Sequence, residues 1–121
     1  MAKTDLLGRW GEAEAAKFLR ARGYQLISAN YRCRFGEIDI IARQGNYIAF
    51  VEVKLRKNDE HGTAAEFVDA RKQNKIRATA SMWLAQNETE LQPRFDVIEI
   101  YAPYGMTDRG KRINHIINAF Q

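Results

Sequence analysis

The sequence predicts an α/β fold, a mixed central sheet flanked by helices, from two observations. A segment rich in Ala, Leu and Glu precedes three segments rich in Ile, Val, Phe and Tyr, and a second helix-forming segment precedes another apolar run. The resulting order is α-β-β-β-α-β plus a tail, which is typical of helices packed on a mixed sheet. With 121 residues, 45% of them hydrophobic, the chain fits a single domain over residues 1–121 that can bury a core.

Both helices carry recognisable end signals. The first is predicted from Thr4 to Arg22, with Thr4 as N-cap and Gly23 just beyond its C-terminus. The second is predicted to open at the capping box Thr63–Glu66 and to run to about Gln86. One stripe of this helix follows helical spacing: Val68, Lys72, Ile76, Ala80 and Trp83.

The strands are predicted from their β-branched and aromatic content and from the turns between them. They are Tyr24–Arg34, Glu37–Arg43, Asn46–Arg56 and Arg94–Tyr101. Gly36 separates the first two, and Gln44-Gly45-Asn46 forms a short hairpin turn. The tail, which contains Ile113 and Phe120, fits either a strand or a helix.

Composition excludes several classes of protein. A single cysteine, Cys33, excludes an intramolecular disulfide and a cysteine-based zinc site. No apolar run approaches the roughly 18 residues of a membrane helix, and the N-terminus lacks a signal-peptide stretch. The sequence therefore predicts a reduced, cytoplasmic protein without a membrane partner. Its net charge of +4 favours anionic partners without identifying one.

Charged residues interrupt two apolar strands on either side of the predicted hairpin. Asp39 lies in Ile-Asp-Ile-Ile, and Glu52 and Lys54 lie in Phe-Val-Glu-Val-Lys. A turn centred near Gly45 places Asp39 opposite Val51 or Glu52, depending on the register. If it faces Glu52, the two carboxylates repel each other and require a positive partner.

Two readings of these carboxylates are open. The simpler one is a structural ion pair with Lys54 on a solvated sheet face. The near-continuous apolar flanks favour buried strands, where charges are costly unless paired or liganded. Paired carboxylates also suit Mg²⁺ or Mn²⁺, which bind hard oxygen ligands.

Two helical residues bear on the same site. Lys72 either forms a local pair with Asp69, three residues away, or points from the second helix toward the carboxylates. Glu12 shares a side of the first helix with Ala16 and Leu19; it is either a solvated surface residue or reaches the sheet edge.

Four segments together resemble the YraN-like family of bacterial proteins. They are Gly11-Glu12, Gly36-Glu37-Ile38-Asp39, Phe50-Val51-Glu52-Val53-Lys54 and Arg94-Phe95-Asp96-Val97. The resemblance runs from about Gly8 to Phe120. That family is assigned to the restriction-endonuclease-like superfamily, defined by a PD-(D/E)xK motif, and is similar to Holliday-junction resolvases. Ile38 stands where that motif has proline, which resolvase-like members often lack.

The resemblance implies a metal-dependent endonuclease that hydrolyses phosphodiester bonds in DNA. Asp39, Glu52, the Val53 carbonyl and Glu12 would hold Mg²⁺ or Mn²⁺. Lys54 would orient the attacking water or neutralise developing charge, and Lys72 would contact the scissile phosphate or position the carboxylates. Backbone phosphate contacts are predicted for four arginines: Arg32, Arg34, Arg56 and Arg71.

The substrate class is narrowed by size and by likeness to resolvases. So small a chain has no room for a separate sequence-reading domain, which favours recognition of DNA structure. A homodimer is a further expectation, because resolvases of this fold work as homodimers that cut two strands symmetrically. RNA is the less favoured substrate. The rival interpretation is a nucleic-acid-binding or scaffold protein that keeps the nuclease fold without turnover.

Overall fold

A computed structural model describes residues 6–57 and 68–121. The elements are α1 (Leu6–Ala21), β1 (Gln25–Cys33), β2 (Gly36–Gln44), β3 (Tyr47–Arg56), α2 (Ala70–Gln86), β4 (Gln92–Tyr101) and β5 (Arg112–Phe120). The predicted element order is confirmed, and the tail, which the sequence left open, is a strand. Within the described residues, neither helix is long and apolar enough to cross a membrane.

The five strands form one mixed sheet in the order β1-β2-β3-β4-β5. Strands β3 and β4 pair in parallel, and the other three pairings are antiparallel. Parallel neighbours require a crossover connection, and α2 lies in the connection between β3 and β4. The mixed central sheet flanked by helices is thus confirmed.

Each face of the sheet has its own core. Under α1, Ala15 and Leu19 pack against a set of fully buried strand residues: Ile40, Ala49, Val51, Ile98 and Ile100. Under α2, Ile76 and Trp83 pack against another: Ile38, Ile41, Ile48, Phe50 and Val97. Burial on both faces accounts for the near-continuous apolar runs of β2 and β3.

The helix ends depart from the prediction at one place. Gly23, at φ +86°, ends α1 as expected, and its N–H donates to the Arg20 carbonyl at 3.0 Å. The continuous second helix from Thr63 is wrong, because α2 begins at Ala70. Asp69 is its N-cap, accepting a hydrogen bond from the Lys72 N–H at 2.8 Å. The expected N-cap Thr4 and the capping box Thr63–Glu66 lie outside the described residues.

Candidate functional site: a carboxylate cluster in a fork of the sheet

Strands β2 and β3 are paired over only part of their length. The β2–β3 ladder begins at Gln44–Tyr47 and ends at Ile40–Val51. Beyond that point β2 remains paired with β1, and β3 remains paired with β4. The sheet therefore forks between β2 and β3. Because Val51 pairs with Ile40, the same register continued by one residue sets Asp39 across from Glu52.

A local irregularity turns Asp39 into the fork. Ile38 packs in the core under α2 and Ile40 in the core under α1, whereas strict alternation would put both on one face. Across from this point in β1, Asn30 adopts a positive φ of 55°. The Asp39 carboxylate instead reaches across the gap, and its Oδ2 accepts a hydrogen bond from the Val53 N–H at 2.8 Å.

Asp39 is an acid in an unfavourable place for its charge. Burial, and then the neighbouring Glu52 carboxylate, raises its pKa to about 7. The hydrogen bond from Val53 opposes this shift, and the charges of Glu12 and Glu37 add to it. Half-buried carboxylates crowded in this way are typical of functional sites, because they need a cation or a proton.

Glu52, in contrast, is held by lysines. Its Oε2 lies 2.8 Å from the Lys72 Nζ and 3.6 Å from the Lys54 Nζ. Burial tends to lower the pKa of Lys72, but the hydrogen bond and charge of Glu52 outweigh it and raise that pKa. Of the two alternatives for Lys72, the second is observed: its ammonium group points toward the carboxylates. Asp69 instead accepts a hydrogen bond from the backbone N–H of Lys72.

Glu12 completes the cluster from α1. It is partly buried and lines one cleft together with Asp39, Glu52 and Val53. Burial raises the pKa of Glu12, a hydrogen bond with Asn30 lowers it, and the charges of Glu37 and Glu52 raise it further. The cleft has a volume of about 1090 Å³. We refer to it below as the carboxylate cleft.

These positions fall within a region shared with known proteins. The model of the uncharacterised protein family UPF0102 matches residues 11–100. The chain belongs to this family. The matched range includes Glu12, Asp39, Glu52, Lys54 and Lys72, and the family identified from the motifs is thereby confirmed.

Three relatives show how far this membership extends. The chain is 44% identical over 116 residues to a UPF0102 protein of Caldanaerobacter subterraneus subsp. tengcongensis, covering 94% of this chain and 93% of the relative. It is 44% identical over 114 residues to one of Clostridioides difficile, covering 93% and 95%. A Frankia casuarinae relative is 40% identical over 121 residues, covering 99% and 100%. Their names state the family and no activity.

The donor set of this UPF0102 protein fits a hard divalent cation that keeps other ligands. Residues 6–57 and 68–121 contain no group of three or more His, Cys, Asp or Glu side chains that could hold a metal ion. Asp39, Glu52 and the Val53 carbonyl could supply three oxygen ligands. Mg²⁺ commonly binds through one or two carboxylates, with water and substrate phosphate supplying the rest.

The four arginines expected to contact phosphates fall in two groups. Arg32 and Arg34 line the carboxylate cleft, and Arg32 Nε also lies 3.2 Å from Glu37 Oε2. Arg71 is exposed on the first turn of α2. Arg56 does not reach the cleft: its side chain is 14% exposed, and its Nε lies 3.8 Å from Glu99 Oε2. The structure thus brings two of the four to the site.

Sequence reasoning missed three residues of the cleft. Asn30 bonds Glu12 from β1, and Arg9 and Lys75 add positive charge from α1 and α2. Arg9 precedes Glu12 by three residues and Lys75 follows Lys72 by three, so helical spacing could have identified both. Nothing in the sequence pattern marks the backbone of Asn30 as left-handed.

A separate buried aspartate lies in β4, within the motif Arg94-Phe95-Asp96-Val97. Asp96 is fully buried and accepts hydrogen bonds from Arg94 Nε and Nη2, both at 2.9 Å. His115 Nε2 lies 2.8 Å from its Oδ2, and the Asn118 N–H donates to Oδ1 at 3.0 Å. This motif therefore supplies a structural network outside the carboxylate cleft.

Proposed function

We propose that this UPF0102 protein is a metal-dependent endonuclease that hydrolyses phosphodiester bonds in DNA. The observation that supports it best is the position of Asp39 beside Glu52 in a fork of the sheet, with its pKa raised to about 7. A structural ion pair would instead hold its carboxylate near a matched cation. The element order, with the aspartate and the Glu-x-Lys pair on adjacent antiparallel strands, favours the restriction-endonuclease-like superfamily.

The residues of the fork would share the work of metal binding. Asp39, Glu52 and the Val53 carbonyl would be direct ligands, and Glu12 would complete the set or bind a metal-coordinated water. A divalent cation bound there supplies Lewis acidity, which lowers the pKa of water and stabilises charge on the phosphate. Because binding favours ionised carboxylates, the raised pKa of Asp39 predicts weaker metal binding below pH 7.

The lysines act on the substrate side of the same carboxylates. Lys54 follows Glu52 by two residues on β3, and its ammonium, 3.6 Å from the Glu52 Oε2, would orient a water held at that carboxylate by hydrogen bonding. Lys72 neutralises Glu52 in the free protein. With Glu52 serving as a metal ligand, the Lys72 ammonium would be available to a phosphate oxygen of the substrate.

DNA is the preferred substrate, chosen for its structure. Arg32 and Arg34, with Arg9 and Lys75, supply cationic groups around the carboxylates, as phosphate binding requires. The described residues form one sheet with its two helices and the turns between them, and they include no separate unit for reading a base sequence. This favours recognition of DNA shape or branching over recognition of sequence. A homodimer would allow paired cuts of the resolvase type.

Calorimetric titration of Mn²⁺ tests the site without any assumption about the substrate. We expect saturable binding to the wild type, loss of binding in Asp39→Asn, and unchanged binding in Asp108→Asn. Asp108 is a matched control because it is an exposed carboxylate paired with Lys111. Cleavage of branched, flapped and single-stranded DNA should then be retained in the wild type and in Asp108→Asn and lost in Asp39→Asn. Matched RNA and DNA hairpins compare the two kinds of nucleic acid as substrates.

The opposite result is equally specific. If the three proteins bind Mn²⁺ alike, both without and with uncleavable phosphorothioate DNA, and Asp39→Asn cleaves like the wild type, the nuclease proposal is wrong. DNA binding without metal or cleavage would support the catalytically silent binding protein.

A further inference from the structure

An aromatic side chain lines the carboxylate cleft. The turn between β1 and β2 places Arg34 and Phe35 in the cleft wall. Phe35 is 39% exposed, so the fold leaves part of this side chain accessible. The Arg34 Cζ lies 4.8 Å from the centroid of the Phe35 ring, so a flat apolar ring and a flat cation share one surface.

The turn that carries Phe35 is seated firmly on α2. Gly36 has φ +150°, and a Cβ at this position would lie 3.2 Å from the Thr79 Oγ1. Thr79 is fully buried and its hydroxyl donates to the Lys75 carbonyl at 2.8 Å, so it has little freedom to move. The Phe35 N–H also donates to Cys33 Sγ at 3.4 Å. The ring is therefore presented from a fixed support.

The spacing relates Phe35 to the carboxylates. Phe35, in the turn just before β2, precedes Asp39 by four positions, which corresponds to about 13 Å of extended chain. That is the span of a few nucleotides of a DNA strand. A strand with its phosphate at Asp39 and Glu52 would bring a nearby base to Phe35, with Arg9 and Lys75 as further phosphate contacts in the cleft.

We propose that Phe35 and Arg34 bind an unpaired nucleobase a few nucleotides from the phosphate held at the carboxylates. Aromatic rings and guanidinium planes stack on bases, and a base inside a duplex presents only its edges. The substrate class is therefore DNA with single-stranded nucleotides beside the cleavage site, such as a gap, flap or splayed branch. This inference rests on the nuclease function proposed above for the position of the phosphate.

The test measures binding in EDTA, where metal-dependent cleavage does not occur. Two DNA probes of equal length carry 2-aminopurine, one in a three-nucleotide gap and one fully paired. Phe35→Ala removes the ring, and Phe35→Tyr restores it. Tyr104→Ala is the matched control, because Tyr104 is 59% exposed and also stacks with an arginine, Arg109, at 4.1 Å, but does not line the carboxylate cleft.

We expect Phe35→Ala to weaken binding of the gapped probe by about tenfold and to abolish the quenching of its 2-aminopurine. Duplex binding should change little, and both Phe35→Tyr and Tyr104→Ala should behave like the wild type. The inference is overturned if Phe35→Ala has no effect or weakens both probes equally, or if the wild type binds neither probe.

A separate cleavage assay with Mn²⁺ distinguishes the two proposals. Loss of the nuclease function would appear as equal cleavage by the wild type and Asp39→Asn, or as none by either, while base stacking is judged on the EDTA binding data alone. If the wild type cleaves gapped DNA and Phe35→Ala binds it equally well, the nuclease function stands and the stacking site fails.

Discussion

Asp39 and Asp96 are aspartates of the central sheet, the first half-buried and the second fully buried, and their surroundings are opposite. Burial alone would raise the pKa of Asp96, but hydrogen bonds from His115, Arg94 and the Asn118 N–H outweigh it and hold that pKa below its usual value. Among the residues that the structure describes, Asp39 accepts a hydrogen bond from one backbone N–H, that of Val53, and burial with the Glu52 charge raises its pKa to about 7. The fold thus stabilises the charge of Asp96 and disfavours that of Asp39.

The difference shows that one sheet can hold a carboxylate that stabilises the fold and another that is available to bind a cation. Asp96 stabilises the junction of β4 and β5 because every cost of its burial is offset by a partner. Asp39 destabilises the folded protein at neutral pH, because burial and then the neighbouring carboxylates disfavour its charge. Sites that bind cations or substrates commonly carry strain of this kind. The comparison predicts opposite outcomes for the same substitution at the two aspartates.

The largest effect is expected at Asp96. Asp96→Asn leaves the 9%-exposed Arg94 guanidinium without its carboxylate partner, and removing one member of such a buried pair costs about 3–5 kcal/mol. Chemical denaturation at pH 7 measures this loss. A double-mutant cycle with Arg94→Met should show strong coupling between the two residues. A cost below about 1 kcal/mol would mean that Asp96 is not the structural member of the comparison.

Asp39→Asn should act in the opposite direction. The amide removes the repulsion with Glu52 and retains an oxygen that accepts from the Val53 N–H. We expect the free energy of unfolding at pH 8 to rise by about 2 kcal/mol, equivalent to several degrees in Tm, while Mn²⁺ binding is lost. Asp108→Asn, at an exposed pair, is the control for a lost negative charge. A destabilised Asp39→Asn protein would show that Asp39 is an ordinary structural acceptor.

The sequence anticipated much of this site but could not distinguish the surroundings of Asp39 from those of Asp96. Strand composition and the hairpin turn predicted that β2 pairs with β3 and placed Asp39 opposite Val51 or Glu52, since side-chain periodicity and turn length are local properties. The same reasoning could not detect that the ladder ends at Ile40–Val51, because the fork depends on β1 and β4 each holding its own neighbour. Nor could it find the bonds from His115 and Asn118 to Asp96, which come from a tail that fitted either a strand or a helix.

The pH dependence of stability should differ in sign for the two aspartates. Asp39 has a folded pKa of about 7, above its ordinary value, so its ionisation destabilises the fold increasingly as pH rises from about 4 to 7. The pKa of Asp96 is depressed, so its stabilisation is present above about pH 4 and is lost as pH falls through the folded pKa.

Denaturation curves measured from pH 3 to pH 8 test this pair of signs. The stability gained in Asp39→Asn should fall away toward pH 3, where the wild-type carboxyl is largely protonated in both states, and should be nearly complete at pH 8. The cost of Asp96→Asn should shrink over the acidic end of the same range. A gain that is independent of pH would come from packing and would contradict an electrostatic origin.

A smaller effect is expected at Lys72, whose ammonium is the near counter-charge of Glu52. Its side chain is 43% exposed, so solvent screens the pair and Lys72→Gln should cost only about 0.5–1 kcal/mol. The loss should shrink in 1 M salt. Lys75→Gln, three residues further along α2, is the matched control and should leave stability unchanged. If Lys72→Gln tightens Mn²⁺ binding, the lysine competes with the metal for Glu52.

The smallest effects on stability are expected at the two asparagines with positive φ, Asn30 beside Asp39 and Asn118 beside Asp96. Glycine adopts this backbone freely, so Asn30→Gly and Asn118→Gly should each change the free energy of unfolding by less than about 1 kcal/mol. Their consequences should differ, because Asn118 serves Asp96 through its backbone N–H, which glycine retains. Asn30 serves Glu12 through its side chain. Asn30→Gly should therefore raise the pKa of Glu12 further and weaken Mn²⁺ binding most at mildly acidic pH. Asn118→Gly should leave Mn²⁺ binding unchanged. Equal Mn²⁺ affinity in both variants would mean that Glu12 is not part of the metal site.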